Sequence, residues 1–345
     1  MSGTLRGVSI APASACYSSP MNADSAAPLV SVLLASRNGA RFLPEALASI
    51  ASQTYPAIEP VLVDDGSTDG TASLLDAFAA AHPRAARLRA EGIGPAAARD
   101  LAFRTSSGSL IAIHDDDDVS DARRIELQVR AFASRPNLGV LGTGAFVIDE
   151  CGVRLRPFRV PFGRGAVRRV LRQAPPFVNG SVMMRRAAYE AAGGFRAPFR
   201  SAEDFDLWLR MPPDLDLDNI ALPLYSWRER SGNLTARARS TMTWHAAVAR
   251  TFADERRETG RDSIDLLAAW PSPEEFLASY PRAGRVAFYL GEMLARQGRA
   301  LEARRQLARA IRDPASRTAA LPWWVLTWVL PFTSRGRAAT RSASA

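Results

Sequence analysis

The sequence predicts an α/β fold in which a sheet is flanked by helices, followed by a helical C-terminal extension. From residue 29, short apolar runs alternate with helix-period segments, and several of the runs end in polar clusters. After about residue 240 the pattern becomes mainly helical. Because strands that alternate with helices are typical of a parallel sheet covered on both faces, we expect a domain at residues 28–240 and a helical extension at residues 241–345.

The first half of the domain contains four predicted strands, each a short run of apolar residues. They cover residues 29–35, 58–63, 87–90 and 110–113. Apolar residues at helical spacing predict helices whose inner faces carry Leu43, Leu47 and Ile50, then Leu74, Leu75 and Phe78, and finally Ile125, Val129 and Phe132. Ser67 or Thr68 is expected to cap the second helix, and Gly94 and Pro95 to open the third.

Residues 136–240 have a more mixed pattern. A hairpin is expected from strands at 140–148 and 154–160, followed by a strand at 177–184, a short helix at 203–211 and a strand at 221–227. In the extension, helical segments at 287–297 and 301–311, joined by Gly298, resemble one tetratricopeptide pair. Because repeat arrays need about three such units, we interpret the pair as a docking extension.

Composition limits the classes of function. The formal net charge is +9, and every basic residue is an arginine. Arg is the better planar partner for phosphate, although diffuse surface charge explains the same excess. The two cysteines and three histidines are scattered without zinc-site spacing, so any metal is expected to be a hard cation bound by carboxylates.

The two ends of the chain have distinct patterns. Residues 1–27 are small and polar, lack the apolar core of a secretory signal, and are predicted to be a disordered leader. Near the other end, the apolar run at 319–332 is shorter than the ~20 residues of a membrane span. Its tryptophans and the arginines that follow suit either a membrane interface at residues 319–337 or a helix packed on the domain. The sequence leaves both interpretations open.

Polar clusters at residues 36–39, 64–66 and 115–118 follow three of the predicted strands. They are expected to converge, because ligands of open α/β sheets bind beyond the carboxyl ends of the strands. The four aspartates at 115–118 repel one another unless a cation neutralises them. Alternate residues of a strand end share a side, which makes Asp115 and Asp117 candidate ligands of one metal–diphosphate unit. The alternative is a solvated acidic turn.

Two further acidic positions each have two interpretations. Asp65 lies in a turn at 64–69 and either accepts hydrogen bonds from a base or ribose or only supports the turn. Glu203 and Asp204 precede an apolar helix segment. A carboxylate at that point is either a general base or a favourable charge at the start of a helix.

In order and spacing, the segments at residues 30–38, 63–71, 94–100, 115–118 and 203–204 resemble the motifs of glycosyltransferase family 2. The resemblance covers roughly residues 29–240. It implies a GT-A fold, which is a Rossmann-like nucleotide-diphospho-sugar transferase architecture with a mixed sheet flanked by helices, and usually an inverting mechanism.

The resemblance also implies a role for each matching residue. The residues implied to line the nucleotide site or face the donor diphosphate are Ser36, Arg37, Asn38, Asp65, Arg99, Asp115, Arg228 and Arg230. Asp115 and Asp117 would hold a Mn²⁺ or Mg²⁺ ion, Asp204 would be the catalytic base, and residues 179–181 would lie in the acceptor region. The donor's identity stays open, because Tyr, Asn and His are common in the family at the positions of Arg37, Asp100 and Arg230.

These implications predict a metal-dependent inverting enzyme that transfers a sugar from a nucleotide-diphospho-sugar donor to a glycan or lipid-linked acceptor, in cell-envelope or exopolysaccharide biosynthesis. We expect a cytoplasmic location, with peripheral contact at the inner membrane, and no nucleic-acid partner. One alternative is a sugar nucleotidyltransferase, although residues 36–41 are too short for its signature loop. The other is a non-catalytic protein that binds polyanions or carbohydrates.

Overall fold

A nine-stranded mixed sheet forms the centre of the computed structural model, which describes residues 27–230, 236–269 and 272–329. Its strands are β1 (Val30–Ser36), β2 (Ile58–Asp65), β3 (Ala86–Ala90), β4 (Leu110–Ile113), β5 (Val119–Ser120), β6 (Leu138–Ile148), β7 (Arg154–Phe158), β8 (Met183–Arg185) and β9 (Asp216–Arg228). Their order across the sheet is β3-β2-β1-β4-β8-β6-β9-β5, and β7 pairs with β6.

Helices pack on the sheet and make up the C-terminal extension. In the described part of the chain they are α1 (Leu43–Ala51), α2 (Thr71–Ala81), α3 (Pro95–Thr105), α4 (Arg124–Ser134), α5 (Arg164–Leu171), α6 (Arg186–Ala191), α7 (Glu203–Arg210), α8 (Ala236–Thr259), α9 (Ile264–Ala269), α10 (Pro273–Ser279), α11 (Ala283–Arg296), α12 (Ala300–Arg312) and α13 (Arg317–Val329).

The half of the sheet formed by β3-β2-β1-β4 is parallel, as the alternation of strands and helices predicts. Successive residues of β1 face opposite cores: Leu34 belongs to the apolar cluster beneath α1 and α4, and Leu33 to the cluster beneath α3. The register of β1 and β2 puts Ser36 opposite Asp64. The four predicted strands and the predicted helix faces are confirmed here, and the strand ends carry the polar clusters to one edge.

The other half of the sheet is mixed. β8 runs antiparallel to β4 and β6, whereas the long strands β6 and β9 are parallel to each other. The predicted hairpin of β6 and β7 and the predicted helix α7 are confirmed. The strand predicted at 177–184 is wrong over most of its length, because Asn179–Ser181 forms a 3₁₀ turn and only β8 remains extended. Asn and Gly are poor strand formers.

The predicted cap of α2 is also wrong. The helix begins at Thr71 after Gly70, and Asp69 accepts a hydrogen bond from the Thr71 N–H at 3.0 Å. Ser67 and Thr68 bond to the loop after β1 instead. The turn therefore joins two loops rather than starting a helix.

The C-terminal helices pack on the rest of the chain rather than forming a separate array. The predicted helix pair corresponds to α11 and α12, and α8 packs against both α7 and α11. A buried ion pair joins Arg250 of α8 to Glu292 of α11 at 2.9 Å. In the described ranges, no helix is long and apolar enough to cross a membrane. The division at residue 240 stays a prediction, and the predicted leader lies outside the described residues except for Ala27.

Candidate active site

The loops that follow β1 and β2 are joined by Asn38. Its backbone N–H donates to Ser67 Oγ at 3.0 Å, and its side-chain oxygen accepts from the Thr68 N–H at 2.8 Å. Asn38 has a positive φ of 55°, which Asn adopts more readily than most residues. Two of the predicted polar clusters therefore meet, and Asn38 shapes the loops that hold them.

The acidic segment at residues 115–118 follows β4 and brings in the third cluster. Ser36 donates its hydroxyl to Asp116, and Arg230 lies 2.7 Å from Asp117. Burial and the neighbouring carboxylates raise the pKa of Asp116 to about 6, although the Ser36 hydrogen bond opposes the rise. Burial also raises the pKa of Asp117, which Arg230 only partly offsets. Burial and mutual repulsion therefore favour a proton or a cation at this segment.

The last aspartate of the segment, Asp118, is buried, and it is tied to β9 through Tyr225. It accepts a hydrogen bond from the Arg228 N–H at 2.8 Å and another from the Tyr225 hydroxyl. The Tyr225 oxygen in turn accepts from the Asp115 N–H at 3.2 Å. Burial, and then Asp115 and Asp117, raise the pKa of Asp118 well above its usual range. Sequence reasoning missed Tyr225, whose only signal is an aromatic residue in a predicted strand.

The turn at Asn179–Ser181 approaches the acidic segment closely at Gly180. A side chain at Gly180 would overlap the Tyr225 hydroxyl and would bring its Cβ to 2.9 Å from Asp115 Oδ2. Only glycine fits this approach. The turn that the resemblance implies for the acceptor region therefore lies directly beside Asp115.

Helix α7 carries Glu203 and Asp204 to the same edge. Arg99 bridges Glu203 at 2.6 Å and Asp115 at 2.8 Å. Among the described residues Asp204 makes no ion pair. Burial and the adjacent Glu203 raise the pKa of Asp204 to about 7, while the Phe205 N–H and Arg99 limit the rise. One carboxyl group at this edge therefore exchanges a proton near neutral pH.

A pocket of about 330 Å³ lies beside Arg37, the loop at residues 92–94 and the first two residues of α3. Its remaining lining residues are Ala197, Phe199 and Arg200. Asp65 supports this loop, because its carboxylate accepts from the Ile93 N–H at 2.7 Å and from the Gly94 N–H at 2.9 Å. Arg37 therefore lines the pocket, whereas Asp65 shapes its wall.

Arg228, which the resemblance implies faces the donor diphosphate, is held within the protein in this structure. Its side chain is fully buried, donates to the carbonyls of Asp117 at 2.7 Å and Asp149 at 3.1 Å, and pairs with Glu45 at 2.7 Å. Because its donors are used within the protein, Arg228 fixes the acidic segment to the turn after β6. Arg230 is 40% exposed and lies at the surface beside Asp117.

Two buried basic residues behind the acidic segment had no signal in the sequence. His114 bonds to the Asp115 carbonyl at 2.8 Å and to Ser49 at 3.0 Å, and burial lowers its pKa to about 3. Arg124 donates to the Gly180 carbonyl at 2.7 Å, and burial lowers its pKa to about 10. His114 is therefore a neutral support, and Arg124 a buried cation beneath the turn.

The fit of a divalent metal depends on the carboxylates of this edge. Among the residues that the structure describes, no group of three or more His, Cys, Asp or Glu side chains is arranged to hold an ion. Mg²⁺, however, is commonly bound through one or two carboxylates plus substrate phosphates. Asp115 and Asp117 supply two carboxylates, which are hard oxygen ligands, in a segment of four adjacent aspartates. The residues present therefore fit a cation that is shared with a phosphate ligand.

Part of the chain is similar in sequence to known glycosyltransferases. Residues 31–193 match the family model described as glycosyl transferase family 2. EpsE of Bacillus subtilis is 36% identical over 190 residues, which cover 53% of this chain and 66% of EpsE. The O-antigen biosynthesis protein RfbC of Myxococcus xanthus is 28% identical over 261 residues, which cover 74% of this chain and 20% of RfbC. The chain thus spans less than two thirds of the length of either relative.

Comparison with solved structures supports the fold. The structure of S. aureus TarS 1–349 superposes with a TM-score of 0.54 at 17% identity, covering 82% of this chain and 88% of that one. The mannosyltransferase PcManGT from Pyrobaculum calidifontis, in complex with GDP-Man and Mn²⁺, gives a TM-score of 0.53 at 22% identity, covering 94% and 88%. The predicted mixed sheet flanked by helices, with its helical C-terminal region, is confirmed.

Proposed function

We propose that the protein, whose residues 31–193 match the model of glycosyl transferase family 2, transfers a sugar from a nucleotide-diphospho-sugar donor to a glycan or lipid-linked acceptor, with inversion at the anomeric carbon. Solved structures of similar fold contain such molecules: TarS with UDP or UDP-GlcNAc, and PcManGT with GDP-Man. They support a nucleotide-sugar donor without identifying its base or sugar.

The state of Asp204 is the observation that carries this proposal. A general base works best when its pKa lies near the working pH, and burial together with Glu203 raises the pKa of Asp204 to about 7. Its neighbours Glu203 and Asp115 are both paired with Arg99, whereas Asp204 makes no ion pair within the described ranges. Asp116 also has a raised pKa but accepts the Ser36 hydroxyl, so Asp204 is the carboxylate of this edge that is better suited to accept a proton.

In the proposed reaction, Asp204 takes the proton of the acceptor hydroxyl as that oxygen bonds to the anomeric carbon. The bond from this carbon to the nucleoside diphosphate breaks in the same step, and attack from the opposite face inverts the centre. Arg99 acts indirectly: it holds Glu203 and Asp115 and limits the rise in the pKa of Asp204. A useful fraction of Asp204 is then deprotonated near neutral pH.

The donor is proposed to lie between the Arg37 pocket and the acidic segment. Arg37 lines the pocket, and a guanidinium plane can stack on a base. Asp115 and Asp117 would hold a Mn²⁺ or Mg²⁺ ion, which supplies positive charge to the departing diphosphate when bound. The Arg230 guanidinium, which lies beside Asp117, adds planar hydrogen-bond donors for the diphosphate. Ser36, Asn38 and Asp65 contribute by fixing the loops that form this site.

We place this reaction in cell-envelope or exopolysaccharide biosynthesis at the cytoplasmic side of a membrane, and α13 supports a membrane contact. Leu321, Val325 and Trp328 recur at helical spacing and are 49%, 52% and 51% exposed. Trp323 and Trp324, in contrast, are partly buried against the core. One face of α13 is therefore packed and the other is free to insert at a lipid surface. The part of the predicted interface at residues 330–337 lies outside the described residues.

Vesicle flotation tests this contact. We expect Leu321→Glu with Val325→Glu to abolish binding to anionic vesicles, because charge on the free face opposes insertion. Val153→Glu, at a 58% exposed position far along the chain, is the matched control and should bind like the wild type. Equal binding by all three proteins would contradict a role for α13.

A donor panel tests the transferase itself. Binding and hydrolysis of nucleotide-sugars are measured with Mn²⁺, Mg²⁺ or EDTA for the wild type, Asp117→Ala and Asp204→Ala. We expect one donor to bind in the presence of metal, no binding by Asp117→Ala, and binding without turnover by Asp204→Ala. Failure of every donor to bind would favour a binding protein. Formation of a nucleotide-sugar from a nucleoside triphosphate and a sugar phosphate would favour a nucleotidyltransferase.

A further inference from the structure

A cavity of about 1180 Å³ lies between the segment that precedes α7 and the C-terminal helices. Its described lining comes from the segment that precedes α7, from α8 at residues 240–245, from residues 267–269 and 272–277, from α11 and from one side of α12. Ala197 and Arg200 also line the smaller pocket beside Arg37. The large cavity therefore adjoins the proposed donor pocket without including the acidic segment.

The charged residues that line this cavity are mostly arginines. Arg299 pairs with Glu302 at 2.5 Å, and Glu302 is the acidic residue of the described lining. Arg200, Arg305 and Arg309 make neither a hydrogen bond nor an ion pair within the part of the chain that the structure describes, and all three are exposed. Unpaired guanidinium groups are suited to bidentate binding of phosphate oxygens.

The deeper lining is apolar and contains one unsatisfied donor. Leu277, Leu290 and Leu294 contribute hydrocarbon surface. Trp244 is 7% exposed, and its indole N–H has no hydrogen-bond partner among the described residues. Buried donors are normally satisfied, so an oxygen of a bound molecule is a fitting partner. The cavity thus combines cations, hydrocarbon and a free donor.

We propose that this cavity binds the acceptor and that the acceptor is a lipid-linked diphosphate. Its phosphates would bind Arg200, Arg305 and Arg309, and its hydrocarbon chain would lie on the leucines. This assignment rests on the proposed function, since an acceptor presupposes a transferase. A neutral glycan would leave three guanidinium groups and an apolar wall without complementary surface, and a lipid-linked diphosphate matches both.

The position of the cavity suits delivery to Asp204. The lining segment ends at Arg200, and the chain continues through Ser201 and Ala202 into α7. Ser201 Oγ hydrogen-bonds His245 Nδ1 at 2.7 Å, which fixes this segment to α8. An acceptor held by its phosphates at Arg200 would therefore present the hydroxyl beyond them toward the start of α7.

Binding of farnesyl diphosphate, measured by calorimetry on the full chain, tests the assignment. We expect Arg305→Ala with Arg309→Ala to weaken binding about tenfold or more, because two phosphate contacts are lost. Arg172→Ala with Arg312→Ala removes two exposed arginines outside the cavity and should leave the affinity unchanged. Inorganic diphosphate should bind more weakly with the same arginine dependence, and farnesol more weakly without it. Trp244→Phe should cost a few-fold by removing the N–H.

A second variant distinguishes loss of the cavity from loss of the fold. Ala268 is an exposed lining residue, so Ala268→Trp should obstruct the cavity while the melting temperature is unchanged. Farnesyl diphosphate binding that survives both Ala268→Trp and the arginine pair would overturn the assignment, as would equal affinities for farnesyl diphosphate and inorganic diphosphate.

Donor binding, measured on the same proteins, distinguishes failure of the cavity assignment from failure of the transferase proposal. If no donor binds the wild type, the transferase proposal and the acceptor role fail together; if donors bind but the cavity variants change nothing, only the cavity assignment fails.

Discussion

Helix α7 carries two carboxylates whose surroundings differ sharply. Asp206 is fully buried and pairs with Arg196 and with Arg210 at 2.9 Å, and Arg196 continues to Asp262 at 2.8 Å. Asp204 lies two residues earlier on the same helix, beside other carboxylates. It makes no ion pair among the described residues. The first region has an arginine for each carboxylate. The second has carboxylates in excess.

Burial of an acid therefore does not by itself decide its role; the number of guanidinium groups around it also matters. Where each carboxylate has a guanidinium partner, the cluster depends on all of its members for stability, because removing one partner leaves an uncompensated buried charge. Where they do not, burial raises pKa values, as it does for Asp116, Asp117 and Asp204. Such a region binds protons or cations.

The largest expected effect is on catalysis at Asp204. Asp204→Asn should lower kcat by about 10²–10⁴-fold, the range for loss of a general base, while the Kd for the donor is unchanged. Steady-state rates and donor titration measure the two quantities. A variant that keeps more than a tenth of the wild-type kcat would remove Asp204 from the proposed role.

At Asp206, in contrast to Asp204, the main expected effect of substitution is on stability. Asp206→Asn leaves Arg196 and Arg210 without their shared partner and should lower the free energy of unfolding by about 3–5 kcal/mol. Urea denaturation measures this loss, with Asp204→Asn as the matched substitution on the same helix. Similar losses in both variants would mean that the two regions do not differ as described.

The pH dependence should also distinguish the acidic edge. The base must be deprotonated, so kcat should reach a plateau above pH about 7, the pKa of Asp204, and fall tenfold per pH unit below it. A carboxyl whose pKa is raised in the folded state binds its proton more tightly there than in the unfolded chain. Its contribution to stability is therefore present below about pH 4, the unfolded value, and is lost as the pH rises to about 7.

Asp204→Asn should cancel that loss. The variant should gain stability relative to the wild type between pH 4 and pH 7, and urea denaturation at the two values measures the change. A constant difference between the proteins would contradict the raised pKa.

A smaller effect is expected from Arg99, which lowers the pKa of Asp204 and pairs with Glu203 and Asp115. Arg99→Ala should move the acidic limb of the rate profile to higher pH, so that kcat near pH 7 falls several-fold and recovers at high pH. Arg104→Ala, which removes an exposed pair on the same helix, is the control. A loss of kcat that is equal at every pH would indicate a structural role only.

The sequence predicts one half of this molecule better than the other. The strands β1, β2 and β4 and the polar clusters at their ends are local patterns, and parallel topology alone brings them together. Tyr225 and the buried placement of Arg228 depend on how the long strands β6 and β9 pair, which is a non-local property. The partner of each carboxylate is set by side chains from distant segments, such as Glu203 for Arg99. The periodicity of apolar residues along the sequence does not predict such pairs.

The smallest effect concerns Ala202, the residue before α7. It has a φ of 55°, a left-handed conformation that costs a residue with a Cβ about 1–2 kcal/mol. Ala202→Gly relieves that strain but adds freedom to the unfolded chain, worth about 0.4–1 kcal/mol, so the net gain in stability should lie between zero and about 1.6 kcal/mol.

Because the constrained residue fixes where the helix begins, relaxing it should disturb Asp204 more than Asp206, which two arginines hold. We therefore expect kcat to fall two- to fivefold in Ala202→Gly while urea denaturation shows no loss of stability. An unchanged kcat would mean that the left-handed residue is tolerated by the fold without orienting the base. A fall in stability instead would mean that the conformation of Ala202 also positions Asp206 for its ion pairs. The same residue would then support both regions.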